Sequence, residues 1–422
     1  MQKIKKWLRS IGPGFITGAS DDDPSGIATY SQTGAAFGYT QLWTALFSLP
    51  FMLVVQEMCG RIGMVTGYGL SGVIRRHYSK KILYFAIFLL LFANTINIGA
   101  NLGAMASALQ LLIPLPFTML LIGMTVVTLL LEVFVSYQTY TKYLKYLALT
   151  LVSYVVVVFV IGQDWSVVAY HTFVPHIVWS KQYLLNIVAI LGTTISPYLF
   201  FWQANQEAEE EVAEHKIWAM GFGKPKVTNR DVRRMRVDTL IGMVFSNMIM
   251  FFIMVSTAST LNASGITWIE TAPQAAEALR PIAGDAAFLL FAIGIIGTGL
   301  LSVPVLAGSA SYAFSEAFRW KEGLYRKFNQ AHGFYGVITL ATLLGLLINY
   351  LPVAPFTLLY YTAILNGICA PPLMILILLI ANNEKIMGKR VNNRFSNAVG
   401  ILITIIMSVS AIALLLTTIG VF

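Results

Sequence analysis

The sequence predicts an all-α protein that crosses a membrane many times, built as two five-helix repeats of opposite topology plus one further helix. Three observations lead to this prediction: the composition, eleven long apolar stretches, and polar breaks in only two of them. Of the 422 residues, 57% are hydrophobic and 11% are charged, and the mean hydropathy is +0.72. A soluble domain carries roughly 25% charged residues. The net charge of +9 lies in short loops between apolar stretches, so membrane topology explains it and no nucleic-acid partner is expected.

Eleven stretches are long enough to span the bilayer, which takes about 20 mostly apolar residues. They are residues 12–37, 40–63, 82–112, 117–136, 143–162, 183–212, 237–261, 285–315, 331–351, 356–381 and 396–420. No separate soluble domain is predicted, although the long loop 262–284 contains a short helical segment, TAPQAAEALR. We divide the chain into a first repeat at 1–165, a second inverted repeat at 166–382, and an additional helix at 383–422.

The distribution of lysine and arginine indicates the orientation. Basic residues precede span one and follow spans two, four, six, eight and ten, whereas the loops after the odd-numbered spans carry little or no positive charge. By the positive-inside rule the N-terminus is cytoplasmic and, after eleven spans, the C-terminus is external. The basic N-terminal stretch lacks a cleavage site. We therefore expect a multi-pass protein of the plasma membrane, of bacterial type.

The first and sixth spans are interrupted by polar residues and proline, at DDDPSG (21–26) and GTTISPY (192–198). Matching breaks in two inverted repeats mark a midplane substrate site in secondary transporters. The backbone groups that a break frees are tolerated in a membrane only where they line a cavity or hold an ion. The sequence thus predicts a transporter whose substrate binds between the two breaks.

Three consecutive aspartates, Asp21, Asp22 and Asp23, occupy the first break. A charged residue at this depth costs about 2.5–3.5 kcal/mol on insertion scales and is usually functional. One interpretation is that an aspartate caps the second half of the broken helix, as Asp before Pro often does. The other is coordination of a hard divalent cation by carboxylate and carbonyl oxygens. Because three consecutive residues cannot all face one ion, we expect one or two to bind it.

The second break offers hydroxyls instead of acids. Thr193 and Ser196 either bind the ion through oxygen or only satisfy the broken backbone. No Met, Cys or His stands at either break, and an all-oxygen ligand set suits Mg, Ca and Mn. No catalytic constellation and no cofactor motif is present, so we expect a carrier of a metal ion rather than an enzyme, with the cation as substrate.

Two segments carry a resemblance to a known family. GPGFITGASDDDPSGIATYSQTGAAFGY (12–39) resembles the first span of the Nramp divalent-metal transporters, whose signature is Gly-Pro-Gly followed by Asp-Pro-Gly-Asn. GRIGMVTGYGLSGVIRRHY (60–78) is similar to the family's segment leaving span two. The resemblance covers the whole chain. It implies a LeuT-like inverted-repeat fold, alternating-access import of a divalent cation, and a metal-binding role for Asp23.

Several positions depart from that family pattern. Gly26 stands where the family has asparagine, and Ser196 and Tyr198 flank a proline where it has Met-Pro-His. The span-three acids of the family align with Asn97 and Ala100, and span nine lacks its arginines. These departures resemble the Nramp-related magnesium transporter branch. They imply transport of Mg²⁺ and/or Mn²⁺ without proton coupling.

The predicted metal site therefore has a main group and an outer group of residues. The main group is Asp23, Gly26, Thr193, Ser196 and Asp22, and the outer group is Ser25, Asn97, Tyr198 and Asn366. Asn94, Asn97 and Asn101 share one face of span three, either for interhelical hydrogen bonds or for a hydrated path. Glu132 is expected to pair with Lys142 or Lys145 or to reach the inner surface, and otherwise to relay protons.

Two other functions remain open. A conventional proton-coupled Mn²⁺/Fe²⁺ symporter would acidify liposomes during uptake. A sodium-coupled carrier of an organic solute would use the same fold, but three acids at the break argue against an anionic substrate. The expected partners are the metal ion and membrane lipid. The sequence requires no oligomer, so a monomer is compatible and the oligomeric state is open.

Overall fold

The computed structural model describes residues 12–135 and 149–418, and within these ranges it contains helices and no β-strand. The helices are α1 (Pro13–Asp21), α2 (Pro24–Phe37), α3 (Trp43–Thr66), α4 (Leu70–His77), α5 (Lys80–Gln110), α6 (Phe117–Phe134), α7 (Val152–Val160), α8 (Trp165–Phe173), α9 (Lys181–Thr194), α10 (Pro197–Ala213), α11 (Asn229–Thr257), α12 (Ala272–Ala276), α13 (Arg280–Ala283), α14 (Ala287–Phe318), α15 (His332–Ile348), α16 (Pro355–Ala381), α17 (Glu384–Met387) and α18 (Arg394–Thr418).

The predicted spans correspond to these helices. In the described part of the chain, eight helical segments are long and apolar enough to cross a membrane, and α15 is a shorter apolar helix. Spans one and six are pairs of half-helices, α1 with α2 and α9 with α10. The fifth span is represented by α7, because residues 136–148 lie outside the described residues. The short helix expected in loop 262–284 is α12. The repeat boundaries at 165 and 382 stay a prediction.

Both predicted breaks are present, and proline explains their form. The residues between α1 and α2 are Asp22 and Asp23, and those between α9 and α10 are Ile195 and Ser196. In each case a proline opens the second half-helix, where its missing N–H would be unpaired anyway. The residue before each proline is extended, as the proline ring requires. The prediction that spans one and six are broken is thus confirmed.

Glycines let each first half-helix approach a neighbouring helix very closely. A Cβ atom on Gly18 of α1 would lie 2.3 Å from the carbonyl oxygen of Gly242 in α11. A Cβ atom on Gly192 of α9 would lie 2.0 Å from the carbonyl oxygen of Ala363 in α16. Close backbone approach is a principal source of helix association in lipid, where apolar burial gives little advantage. These contacts fix both breaks in the interior of the bundle.

Candidate metal site

The two breaks meet in the interior of the protein. A Cβ atom on Gly26 would lie 2.9 Å from the carbonyl oxygen of Asp21 and 3.5 Å from the hydroxyl of Thr193. From the other break, the hydroxyl of Tyr198 donates to the carbonyl oxygen of Ser20 at 3.0 Å. The residues around this junction are all nearly or fully buried. The structure therefore brings together the two segments that the sequence predicted to share a site.

Asp23 is the best-held carboxylate of the junction. Its Oδ1 accepts hydrogen bonds from the amide of Gly26 at 2.8 Å and the hydroxyl of Ser25 at 2.6 Å. Its Oδ2 accepts from the side-chain amide of Asn101 at 2.9 Å. A carboxylate has about four acceptor positions, so three donors orient the group and leave room for one ligand. Asp23 also caps α2, which is one of the two interpretations of the aspartates in the first break. The residue before a proline at N1 is the cap position, so of the three aspartates it is Asp23 that has this role.

Asp21 and Asp22 face a different helix from Asp23. The hydroxyl of Ser246 in α11 lies 2.7 Å from Oδ2 of Asp21 and 3.2 Å from Oδ1 of Asp22. The other oxygen of each carboxylate has no hydrogen-bond partner in the described residues. Both side chains are 0% exposed. Within residues 12–135 and 149–418, no ion pair involves any of the three aspartates.

The hydroxyls of the second break divide between two roles. The Ser196 hydroxyl lies 2.7 Å from the carbonyl oxygens of both Gly192 and Thr193, and it donates its single proton to one of them at a time. It thereby satisfies the last turn of α9, which was one of the two interpretations of the sequence. Thr193 is the residue whose side chain lies toward Gly26. Of the two predicted hydroxyl ligands, Thr193 is thus the better placed, while Ser196 keeps only acceptor capacity.

The asparagines of α5 also differ in role. Asn94 donates to the carbonyl oxygen of Leu306 at 2.9 Å, the interhelical bond that the polar stripe predicted. Asn97 accepts from the hydroxyl of Thr362 at 3.2 Å, and its own amide nitrogen has no partner in the described residues. Asn101, which we had not assigned to the site, contacts Asp23. The seven-residue spacing from Asn94 was the available signal.

Asn366 in α16 is 1% exposed, and neither polar atom of its side chain has a partner in the described part of the chain. Buried amides are normally hydrogen-bonded, so a free one is unusual. Its neighbour Gly367 packs on Gly192 at the end of α9. Asn366 therefore has hydrogen-bonding capacity available beside the second break, and its role at the metal site stays a prediction.

Two acids lie outside the predicted site but bear on it. Asp238 of α11 accepts from the backbone amides of Gly12 at 2.9 Å and Gly14 at 2.7 Å, and so holds the start of α1. This contact depends on tertiary packing, so no local pattern in the sequence indicates it. Glu132 accepts from the hydroxyl of Thr342 at 3.4 Å. Its expected lysine partners, at 142 and 145, lie outside the described residues.

A cavity of about 610 Å³ opens at the far end of α2, among side chains of α2, α9, α16 and loop 262–271. At its edge Asn186 donates to the hydroxyl of Thr33 at 2.9 Å, and Tyr360 donates to Asn186 at 2.9 Å. Thr33 lies ten helical residues from Asp23, a distance of about 15 Å. The cavity and the three aspartates thus lie at opposite ends of α2.

The chain is similar to known proteins along its whole length. A family profile described as Nramp, natural resistance-associated macrophage protein-like, matches residues 14–417. A relative from Caldanaerobacter subterraneus, "Divalent metal cation transporter MntH", is 25% identical over 433 residues, covering 99% of this chain and 95% of the relative. A protein of the same description from Clostridium acetobutylicum is 26% identical over 436 residues, covering 99% and 93%.

Solved structures share the fold. The Eremococcus coleocola manganese transporter has a TM-score of 0.77 at 17% identity, covering 96% of this chain and 86% of that one. Mhp1, a nucleobase-cation-symport-1 family transporter, has a TM-score of 0.54 at 14% identity, covering 97% and 90%. At such low sequence identity, these structures show only that the fold is shared. They confirm the prediction of an all-α, LeuT-like membrane fold with broken helices.

Proposed function

This chain belongs to the Nramp family, and on that premise we propose that it carries a divalent metal cation, Mg²⁺ and/or Mn²⁺, into the cell by alternating access. Relatives named as divalent metal cation transporters, similar over nearly the whole chain, support this proposal. We place the protein in the plasma membrane of a bacterium, with its N-terminus in the cytoplasm. Metal and lipid are its partners, and no cofactor is needed.

One observation carries the proposal: a buried carboxylate with no basic partner among the described residues lies where the two breaks meet. Asp23 is 1% exposed and is oriented by Asn101, Ser25 and Gly26. A buried charge without a partner is strongly destabilising, and a bound cation removes that penalty. We therefore assign Asp23 as the central ligand of the transported ion.

The preference for a hard ion rests on the other groups at the junction. The side chains there offer oxygen and no sulfur or imidazole, because Ser196 and Tyr198 occupy the second break. Mg²⁺ and Mn²⁺ favour oxygen ligands, and Mg²⁺ is usually held by one or two carboxylates with several retained waters. Asn366, whose side-chain oxygen has no partner in the described residues, is suited to accept a hydrogen bond from such a water.

The access route follows from what lies on either side of Asp23. Toward the outer cavity, the hydrogen-bonded group of Thr33, Asn186 and Tyr360 forms the barrier. In the other direction, α1 is held by Asp238. We propose that opening of the first barrier admits the ion and that movement of α1 releases it. In the present conformation the aspartates are closed off from both sides.

Proton coupling is not part of this proposal, since the residues at the family's span-three acid positions are Asn97 and Ala100. One observation favours the proton-coupled alternative. Glu132 is a buried carboxylate, 8% exposed, with one oxygen unpartnered in the described residues. A carboxylate in that setting is suited to proton relay.

The deciding experiment is metal uptake into proteoliposomes that contain the purified protein and an internal pH dye. We expect Mg²⁺ and Mn²⁺ to enter without internal acidification. Empty liposomes give the background. Entry of Mn²⁺ alone with acidification would establish the proton-coupled alternative, and absence of entry for both ions would refute divalent-metal transport.

A further inference from the structure

We propose that Asp21, Asp22 and Ser246 form a second cation site, separate from Asp23 and used by the same divalent ion on its way through the protein. This inference rests on the proposed transport function. The site lies on the α1 side of the break, between Asp23 and the end of α1 that Asp238 holds. Of the three aspartates, only Asp23 matches the signature of the family.

Most carboxylate oxygens of Asp21 and Asp22 lack a hydrogen-bond donor in the described residues. Ser246 is within hydrogen-bond distance of Oδ2 of Asp21 and Oδ1 of Asp22. A hydroxyl has one proton, so it donates to only one of these oxygens at a time. Oδ1 of Asp21 and Oδ2 of Asp22 have no partner at all in the described residues. At any time, three of the four carboxylate oxygens are therefore fully buried without a hydrogen-bond donor in the described residues, and are free to bind a cation.

The carboxylates of Asp21 and Asp22 also have no positively charged partner in the described residues. Asp21 and Asp22 are both 0% exposed, and neither forms an ion pair within the part of the chain described here. Two ionised carboxylates that share one hydroxyl repel each other, and a cation bound between them removes this repulsion, as protonation of one carboxylate also does. Two carboxylates, a hydroxyl oxygen and retained water make up a ligand set suited to Mg²⁺ or Mn²⁺.

Different helices hold the two sites. Asn101 of α5 and the first turn of α2 orient Asp23. Ser246 of α11 contacts only the other two aspartates. An ion that moves from Asp23 to the second site leaves a site held by α2 and α5 and enters one held by α1 and α11. The second site is then a relay point on the release side.

The test is equilibrium binding of Mn²⁺ to the purified full-length protein, together with Mn²⁺ uptake in proteoliposomes. We expect two Mn²⁺ per wild-type chain and one in Asp21→Asn/Asp22→Asn, with slower uptake by that double variant. Ser246→Ala should weaken the second binding event about tenfold, the effect of one lost hydrogen bond to a charged group. The matched control is Ser256→Ala on the same helix, whose buried hydroxyl lies 3.5 Å from the carbonyl oxygen of Ala278.

The outcomes separate the two proposals. One Mn²⁺ per wild-type chain, with normal uptake by the double variant, overturns the second site and leaves the transport function intact. A wild-type protein that neither binds nor transports Mn²⁺ or Mg²⁺ overturns the transport function itself. If the double variant does not fold, the comparison of Ser246→Ala with Ser256→Ala decides, and equal binding by both overturns the second site.

Discussion

The side-chain amide of Asn101 donates a 2.9 Å hydrogen bond to the carboxylate of Asp23. This contact joins the middle of a long continuous helix to the break between two short ones. Because the amide fixes one carboxylate oxygen, the position of the proposed metal ligand depends on how α5 packs against the break.

Asp23→Asn should reduce Mn²⁺ uptake by about 100-fold or more, because a neutral amide replaces the central anionic ligand. The substitution keeps the volume of the side chain, so the protein should remain monodisperse and folded. Uptake by proteoliposomes is the measurement. Asp285→Asn, at an exposed aspartate between α13 and α14, is the control and should transport normally. A fully active Asp23→Asn protein would disprove the assignment of the site.

Asn101→Ala should weaken Mn²⁺ binding about 10- to 100-fold, since the loss of a hydrogen bond to a charged group costs about 1.5–3 kcal/mol. The matched substitution is Asn94→Ala, two turns earlier on the same helix. Asn94 bonds to Leu306 and Ser309 and not to an aspartate. It should lower the melting temperature and leave the dissociation constant unchanged. Equal effects of the two substitutions on binding would show that Asn101 only supports packing.

Asp238→Asn should loosen the start of α1, because its carboxylate accepts from the backbone amides of Gly12 and Gly14. Loss of such a cap costs about 1 kcal/mol. We expect faster reaction of Thr17→Cys, a cysteine introduced in α1, with a thiol reagent; the native Cys59 and Cys369 are both buried.

The control for that experiment is Asp231→Asn, which removes the carboxylate of another helix cap, at the start of α11. It should lower stability by a similar amount and leave the labelling rate of the α1 cysteine unchanged. Equal labelling in all backgrounds would mean that Asp238 does not restrain α1.

Glu132→Gln should leave Mn²⁺ uptake within about twofold of wild type, because the proposed mechanism moves no proton through this carboxylate. Internal pH should stay constant in both proteins. If wild-type uptake acidifies the liposomes and the variant abolishes that acidification, Glu132 is a proton relay and the transport is coupled.

Glu322, in the loop after α14, should make the stability of the protein depend on pH. Burial, followed by the nearby carboxylate of Glu316, raises the pKa of Glu322 well above its usual value. The folded protein therefore holds this proton more tightly than the unfolded chain does, so stability falls as the pH rises above about 4.3, the pKa of an unperturbed Glu. Glu322→Gln should raise the melting temperature at pH 8 and have little effect near pH 4. The control is Glu384→Gln, at an exposed glutamate, which should leave the melting temperature unchanged at both pH values. An unchanged melting temperature for Glu322→Gln at pH 8 would contradict the prediction.

The sequence was sufficient for the features that depend on local chemistry. Proline after an aspartate or a serine, within an otherwise apolar stretch, located both breaks. Their place in spans one and six then predicted that Asp23 and Thr193 would lie at a common site. The spacing of Asn94, Asn97 and Asn101 showed that they share a face of one helix, but packing decides which neighbour that face contacts, and packing has no local signal. For this reason Asn101 and Asp238 were missed as contacts of the broken helix, and the commitment of Ser196 to the α9 backbone stayed one of two alternatives.

The contact between Gly18 and Gly242 has a kinematic consequence. At this point the two helices touch by backbone alone, and a Cβ atom on either glycine would clash. Sliding α1 along α11 would place the Cβ atom of Thr17 or Ala19 against the backbone of Gly242, so the contact fixes the register of the two helices. Further contacts with α11 lie on both sides of this point: the ring of Phe15 packs on Phe245, Asp238 holds the start of α1, and Ser246 contacts Asp21 at its end. Movement of α1 is thus a rotation about the Gly18–Gly242 contact, and it requires the contacts on either side to change.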